Sequence, residues 1–279
     1  MAAYPTAVPV NLCPTGMVPT RAMTPHVPIS PEEIARDVLR CAEIGITSVH
    51  LHARDSAGRP THRKEVYGEI IGRIREQRQD LVIGVSCSGR DVQELALRAE
   101  VLELSGDLKP DLASLTTSSL NFARQASVNA PDIVRGLAER MRDAGITPEL
   151  EIFDLGMANV VRYLAERGVL VPPLHANVFF GNVATAQADL LSMAAVVNAL
   201  PPGTSIAFGG IGDVQRDVVA TAVAQGFGVR IGIEDNIYLD PRRTELATNE
   251  GHTAWVHHIV SHLGRNVESS ENFRLRVCG

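Results

Sequence analysis

His50 and His52 are separated by one residue in the run Ser48-Val49-His50-Leu51-His52. The neighbours favour a strand, and a strand alternates faces, so both imidazoles point one way while Val49 and Leu51 point the other. Two buried imidazoles side by side are costly unless they share a cation or find good hydrogen-bond partners. A second run, Val229-Arg230-Ile231-Gly232-Ile233-Glu234-Asp235, puts Arg230, Gly232 and Glu234 on the face opposite Ile231 and Ile233. His50, His52 and Glu234 would form a two-histidine, one-carboxylate set with an open position. Such a set holds catalytic zinc and also suits iron or manganese. The plainer alternative is a hydrogen-bonded pair of core histidines.

Other residues gather around this set. Arg230, aimed inward, needs an anionic partner. That partner is either Glu234 or a neighbouring carboxylate in a structural ion pair, or the carboxylate or developing enolate of a substrate. Asp235 is placed either as a general base or as a loop-capping group. Ser86, Ser88 and Gly89 (S-C-S-G), with Ser114, Thr116 and the hydroxyls that follow, offer donors at two strand ends that could cradle a carboxylate. Glu149 and Glu151 share one strand face. One of them is a candidate support for the metal site, and the alternative is an ion pair with Arg230 or an exposed charge. Gly210 and Gly212 lie where barrels often bind phosphate, though glycines also serve tight turns. Cys87 lacks a partner that would make it a nucleophile and reads as packing.

The elements that must position these groups alternate along the chain. Strands are expected at Ala7–Leu12, Ser48–His52, Leu81–Ser86, Asp111–Thr116, Glu149–Phe153, Leu174–Phe180, Ser205–Phe208 and Val229–Ile233. Helices are expected from Pro31 to about Glu43, then over Lys64–Gln77, Gln93–Leu104, Pro131–Ala144, Met157–Arg167, Ala186–Leu200, Val214–Gln225 and Thr248–Leu263. The first has a capping-box start at Ser30 and Glu33, and Gly45 ends it. Eight strand–helix units predict an α/β protein with a parallel sheet closed as a (β/α)8 TIM barrel. The dinucleotide-binding alternative lacks its glycine fingerprint after the first strand. A single domain is expected over residues 1–279, with residues 266–279 as an arm on the barrel or on a neighbouring subunit. His50, His52 and Glu234 then fall at the ends of two even-numbered strands, whose inward side chains share a layer in this fold.

Bulk properties narrow the function classes. The 279 residues are 45% hydrophobic and 21% charged, enough for a large core and unlike a disordered chain. The formal net charge of −6, without a basic block, argues against nucleic acid as partner. Cys13, Cys41, Cys87 and Cys278 form no C-x-x-C pair and read as free thiols of a reducing compartment. The N-terminal stretch shows no leader, and no run approaches the ~18 apolar residues of a membrane span. A cytoplasmic protein is expected.

The motifs, taken in order, resemble the β-keto acid cleavage enzyme family. They are Thr15-Gly16, His50-Leu51-His52, Ser86 to Gly89, Ser119 to Phe122, Glu149 to Glu151, Gly210 to Gly212 and Arg230 to Asn236. The resemblance covers nearly the whole chain. It implies a zinc TIM barrel, usually a homotetramer, with one zinc ion per subunit. It implies that a β-keto acid and acetyl-CoA give acetoacetate and a new acyl-CoA. It implies His50, His52 and Glu234 as metal ligands, and Ser86, Gly89 and Ser114 as carboxylate-holding positions. By the same resemblance Arg230 and Asp235 are the pair that removes the C2 proton, and Glu151 is an active-site acid. Two departures bear on the substrates. Val18 stands where the family pattern has a glutamate facing an amino group, which predicts a substrate without a cation at that end. Asp213 follows Gly-Ile-Gly where a basic residue is usual, so CoA phosphates would depend on glycine amides or Arg216.

Two rival readings stay open. A hydrolase of amidohydrolase type also uses H-x-H, a later histidine such as His175 and a strand-eight aspartate. Its H-x-H belongs on the first strand, however, and the lysine or histidine expected on strands four and five is missing. A non-catalytic metal-binding or small-ligand-binding protein is the third.

Overall fold

The computed structural model describes residues 6–279; residues 1–5, part of the stretch read as lacking a leader, lie outside the described residues. Eight parallel strands close into a barrel: β1 (Val10–Leu12), β2 (Ser48–Leu51), β3 (Val82–Val85), β4 (Leu112–Thr116), β5 (Thr147–Ile152), β6 (His175–Phe180), β7 (Ser205–Gly210) and β8 (Gly228–Ile231). Each strand pairs with its neighbours in chain order, and β8 closes onto β1 through Arg230 opposite Asn11. The outer helices are α1 (Pro31–Ile44), α2 (Lys64–Arg75), α3 (Leu95–Arg98), α4 (Pro131–Ala144), α5 (Leu155–Glu166), α6 (Leu190–Ala199), α7 (Gln215–Gln225) and α8 (Asn249–His262). No helix of the described residues is long and apolar enough to cross a membrane.

Local chemistry accounts for the elements. Ser30 and Glu33 make the reciprocal capping box at the start of α1, with Pro31 at its first position. The residues of β1 to β4 are buried throughout, because helices cover one face and the lumen takes the other. Outward residues such as Leu12, Val49, Leu51, Val85 and Ile231 join the main apolar cluster between strands and helices. Inward residues are largely polar: Asn11, Ser48, His50, Ser114, Glu149, Asn177 and Arg230 are all buried.

Three expectations need correction. The first strand is broken at Pro9, which has no N–H for the ladder. Ala7–Val8 pairs instead with Asn266–Val267. The helix expected over 93–104 is a single turn, α3, followed by a 3-10 turn at Glu100–Glu103. Ala99, at φ −89° and ψ −1°, breaks the α geometry there. The eighth strand stops at Ile231, so Glu234 and Asp235 stand in the turn after it.

The terminal residues close the other end of the barrel. A ninth helix, α9 (Ser270–Val277), buries Phe273 and Val277 against Val82 of β3 and Leu112 of β4. Ser270 Oγ donates to the Thr47 carbonyl at 2.8 Å, and Arg274 pairs with Asp111 at 3.1 Å. Residues 266–279 therefore lie on their own barrel.

Candidate active site

A cavity of about 570 Å³ opens where the C-terminal ends of the strands meet their loops. Met17, Val18, His52, Ser86, Thr116, Glu151, Phe179, Gly212, Glu234 and Asp235 are among its lining residues, so every barrel strand or the loop after it contributes. Catalytic groups in this fold gather at this end.

His50 and His52 bring their Nε2 atoms to 3.3 Å, and Glu234 Oε1 lies 3.2 Å from His52 Nε2. One ligand atom from each of the three lies within 4.8 Å of the others. The other nitrogen of His50 is committed: Nδ1 lies 2.7 Å from Glu149 Oε2. With the Nδ1 proton donated to that carboxylate, Nε2 of His50 carries the lone pair. Two ring nitrogens facing at 3.3 Å, beside a buried Glu234 Oε2 without a hydrogen-bond partner, are stabilised by a shared cation. The donor set fits a divalent metal ion.

Glu149 resolves the choice between the two acids of β5. It is buried, and Oε1 also accepts from Asn11 Nδ2 and Asn177 Nδ2, each at 2.7 Å. Burial opposes its charge, but His50 overrides this and holds the carboxyl at about 2. Burial likewise opposes a charged His50, yet Glu149 raises its pKa above the ordinary value. His52 is shifted the other way by burial. The Arg230 alternative for Glu149 is not realised as an ion pair, because Arg230 turns to the strand-eight acids.

Arg230 is fully enclosed and bridges two carboxylates: Nη2 donates to Glu234 Oε1 at 2.6 Å and Nε to Asp235 Oδ2 at 3.0 Å. Its guanidinium lies 4.8 Å from the centre of the Phe179 ring. Burial opposes the ionised form of Glu234, but Arg230 and His52 hold its carboxyl below the usual range. Asp235 is pushed up to about 6 by burial, against the pull of Arg230 and with help from the Glu234 charge. Two adjacent carboxyls are thus driven apart, one held ionised and one close to neutral pH. Glu151 lines the cavity and accepts from Thr116 Oγ1 at 2.5 Å.

The hydroxyl groups divide into two roles. Ser86 and Thr116 line the cavity. Ser114 Oγ instead accepts the Cys87 N–H at 3.0 Å, and Gly89 packs where a Cβ would lie 2.3 Å from the Val128 carbonyl. These two shape the loop that carries Ser86. Gly210 is likewise a close approach, because a Cβ there would lie 2.4 Å from Gln215 Cα. The Gly212 N–H is used by the Asp235 carbonyl at 2.8 Å, which leaves the residue on the cavity wall with a φ of +67°. Asp213 is neutralised by Arg243 at 2.8 Å, and Arg216 is spent on the Leu239 carbonyl and the Trp255 ring. The buried Cys87 thiol is pushed up to about 12 by burial, which keeps it inert.

The sequence motifs around the site have structural reasons. A Cβ on Gly16 would lie 2.4 Å from Glu234 Cγ, at a φ of +61° that favours glycine. Arg54 fastens that turn by donating to the Gly16 carbonyl at 2.9 and 2.6 Å. Asn249 joins the two loops: its side chain accepts from Ile233 N–H at 2.9 Å and donates to the Pro14 carbonyl at 3.0 Å. Sequence reasoning passed over Asn11, Asn177, Arg54 and Asn249, since only the three-dimensional pairing singles them out. His175, the candidate extra ligand of a hydrolase, sits at the start of β6 with its ring 5.1 Å from Phe273 at the barrel floor. It is not part of the group of His50, His52 and Glu234 that could hold a metal ion.

Comparison with known proteins agrees with this arrangement. A family model described as beta-keto acid cleavage enzyme matches residues 7–277. A 3-keto-5-aminohexanoate cleavage enzyme of Fusobacterium nucleatum is 30% identical over 258 residues, 91% of this chain and 92% of that protein. A 3-oxoadipate:acetyl-CoA acetyltransferase of Cupriavidus necator is 30% identical over 261 residues, 92% and 90% of the two chains. Among solved structures, apo ObcA superposes with a TM-score of 0.81 at 20% identity over 92% of this chain. The match spans 66% of the longer ObcA chain, and at that identity it speaks for the fold alone. With the motif glycines packed on Glu234 and Cys13, and the family model spanning the barrel, the chain belongs to the beta-keto acid cleavage enzyme family.

Proposed function

We propose that the protein is a zinc-dependent acyltransferase that combines a β-keto acid with acetyl-CoA and releases acetoacetate and a new acyl-CoA. The supporting observation is the pair of His50 and His52 nitrogens facing at 3.3 Å beside Glu234, in the same cavity as Asp235. The two curated relatives point the same way, since one is named as a keto-acid cleavage enzyme and the other as an acetyl-CoA acetyltransferase.

His50, His52 and Glu234 would hold the ion. Bound there, it supplies Lewis-acid polarisation of a chelated keto acid and so lowers the cost of losing a C2 proton. Ser86, whose hydroxyl accepts from Ser88 N–H and keeps its own proton, offers a donor to the substrate carboxylate at the cavity wall, while the Thr116 hydroxyl is given to Glu151. Asp235 takes the proton from C2, because its carboxyl is oriented by Arg230 and lines the cavity. C2 then attacks the acetyl thioester carbon, and the CoA thiolate leaves. The thiolate adds to the original keto carbon, the bond between that carbon and C2 breaks, and C2 recovers the proton as acetoacetate departs. The enclosed Arg230 faces negative charge throughout and keeps Asp235 aimed. Glu151, held by Thr116, is the second acid within reach of the cavity. Gly212, on the cavity wall, would border the entry for acetyl-CoA, and Gly210 shapes the turn that carries it. The reading includes a single-domain, cytoplasmic homotetramer.

The test is an assay of zinc-loaded protein with acetyl-CoA and a panel of β-keto acids, following acetoacetate and the new acyl-CoA together. Both products are expected, with H50A inactive and D235N reduced about 10²- to 10⁴-fold. Folded, zinc-loaded protein that makes neither product from any panel member would overturn the proposal.

A further inference from the structure

Three aromatic rings run along one side of the cavity, with an arginine at each end. The Arg230 guanidinium lies 4.8 Å from the Phe179 ring centre, and Phe179 stacks on Phe153 at 4.5 Å. Phe153 meets Phe122 edge to face at 5.7 Å, and the Arg90 guanidinium lies 3.8 Å over Phe122. Phe122, Phe153, Phe179, Arg90 and Arg230 all line the cavity.

The two arginines differ in their partners. Arg230 is paired with two carboxylates, Glu234 and Asp235, and only its Nη1 is left over. Arg90 is half-buried, and its Nε is enclosed without any hydrogen-bond partner among the described residues. Its neighbour Asp91 accepts instead from Gln125 Nε2 at 3.1 Å. The nearby buried Arg98 shows the usual arrangement, donating to the Cys87 carbonyl at 2.8 Å and to Asn129 Oδ1 at 2.7 Å. An enclosed guanidinium is retained at little cost only when an anion completes its shell. Burial disfavours the Arg90 charge, and Glu234, Glu151, Asp91 and Asp235 oppose that loss. Arg90 therefore feels the carboxylates of the reaction centre. Met17 and Val18, also on the cavity wall, offer no carboxylate to a cationic substrate end.

The geometry points to Arg90 as a specificity residue that pairs with an anionic group at the far end of the keto acid, making the preferred substrate a β-keto dicarboxylate. The reacting end would sit by Arg230 and the metal ligands, the methylene chain along the aromatic row, and the distal carboxylate on Arg90. The inference rests on the β-keto acid reading proposed above. CoA phosphates are the other anion that could meet Arg90. They are separated from the acyl carbon by the whole pantetheine arm, which does not suit a group that lines the same cavity as Glu151, Glu234 and Asp235.

The experiment compares 3-oxoadipate with its uncharged analogue 3-oxohexanoate, using zinc-loaded wild-type protein, R90Q and R90K. Wild-type kcat/KM is expected to favour the dicarboxylate, with about 10- to 100-fold of that preference, the worth of a charge-assisted pair, lost in R90Q. R90Q should keep the 3-oxohexanoate rate and the KM for acetyl-CoA, and R90K should retain part of the preference. A wild-type preference for 3-oxohexanoate overturns the assignment while leaving the keto-acid reading intact. So does a loss in R90Q that is equal for both acids, or one that appears as a raised KM for acetyl-CoA. No acetoacetate from any β-keto acid removes the reading and the assignment together.

Discussion

Glu149 does its work through His50. Its carboxylate is shared among His50, Asn11 and Asn177, three residues from three different strands, so it fixes both the ring orientation and the proton on Nδ1. Gln at this position keeps the shape but loses the charge that favours the Nδ1 proton and the basicity of Nε2. E149Q is expected to weaken zinc binding about 10- to 100-fold. Competition with a chromophoric chelator measures this without any turnover, and unchanged zinc affinity would refute the role. A related outcome is expected for G16A. Its methyl would enter Glu234 Cγ at 2.4 Å, so zinc occupancy should fall although no ligand is altered. His50, His52 and Glu234 were legible in the sequence as groups at the ends of two even-numbered strands, although only His50 lies on its strand and Glu234 is carried by the turn after β8. Which of Glu149 and Glu151 meets His50 was not legible, because that depends on the stagger of strands across the lumen. Two asparagines that complete the Glu149 shell carry no sequence signal that separates them from surface polar residues.

Helix α1 reaches the site through one side chain. Asp37 Oδ2 accepts from Asn249 Nδ2 at 2.6 Å, and Asn249 in turn ties the turn before Glu234 to the Pro14 loop. Burial pushes the Asp37 carboxyl up to about 6, and the Asn249 hydrogen bond only partly opposes this. The folded pKa lies above the ordinary 3.8, so the folded state holds the extra proton between those values. Stability from this group is therefore present below about pH 4 and is lost as pH rises toward 6. D37N removes the charge while its amide oxygen still accepts from Asn249. The variant is expected to match wild type near pH 4 and to gain up to about 3 kcal/mol at pH 7.5 in urea unfolding. An equal effect at both pH values would contradict the assignment. The eight strand–helix alternations were legible at this scale because each strand carries apolar residues on its outward face and four of the eight outer helices start at a side-chain cap. The interruption at Pro9 follows from a missing N–H, yet its outcome, pairing with Asn266–Val267, depends on a terminus more than two hundred residues away. The short α3 was not legible, since Glu94 makes no side-chain cap and Arg98 is drawn inward by Cys87 and Asn129.

The whole molecule separates its two ends. The floor is apolar, with Phe273 fully buried against Val82, Leu112 and Val277, and with the His175 ring edge-on at 5.1 Å. The opposite end carries the charged cavity. Conserving stability at one end and chemistry at the other is how this fold tolerates many reactions. F273A is expected to cost about 3–5 kcal/mol, the usual cost of emptying an enclosed aromatic site. Its kcat/KM should stay within about twofold of wild type at a temperature where it remains folded, since no cavity residue touches Phe273. D235N should do the reverse, lowering turnover by the same factor of about 10² to 10⁴ while leaving the unfolding midpoint near wild type or above it, because it relieves a buried carboxyl that is pushed up to about 6. The double variant then tests the separation. Independent ends require the two stability changes to add within about 0.5 kcal/mol. A larger coupling, or a loss of activity in folded F273A, would mean that the strands transmit strain from floor to cavity, and His50 on β2 would be the first place to look for it.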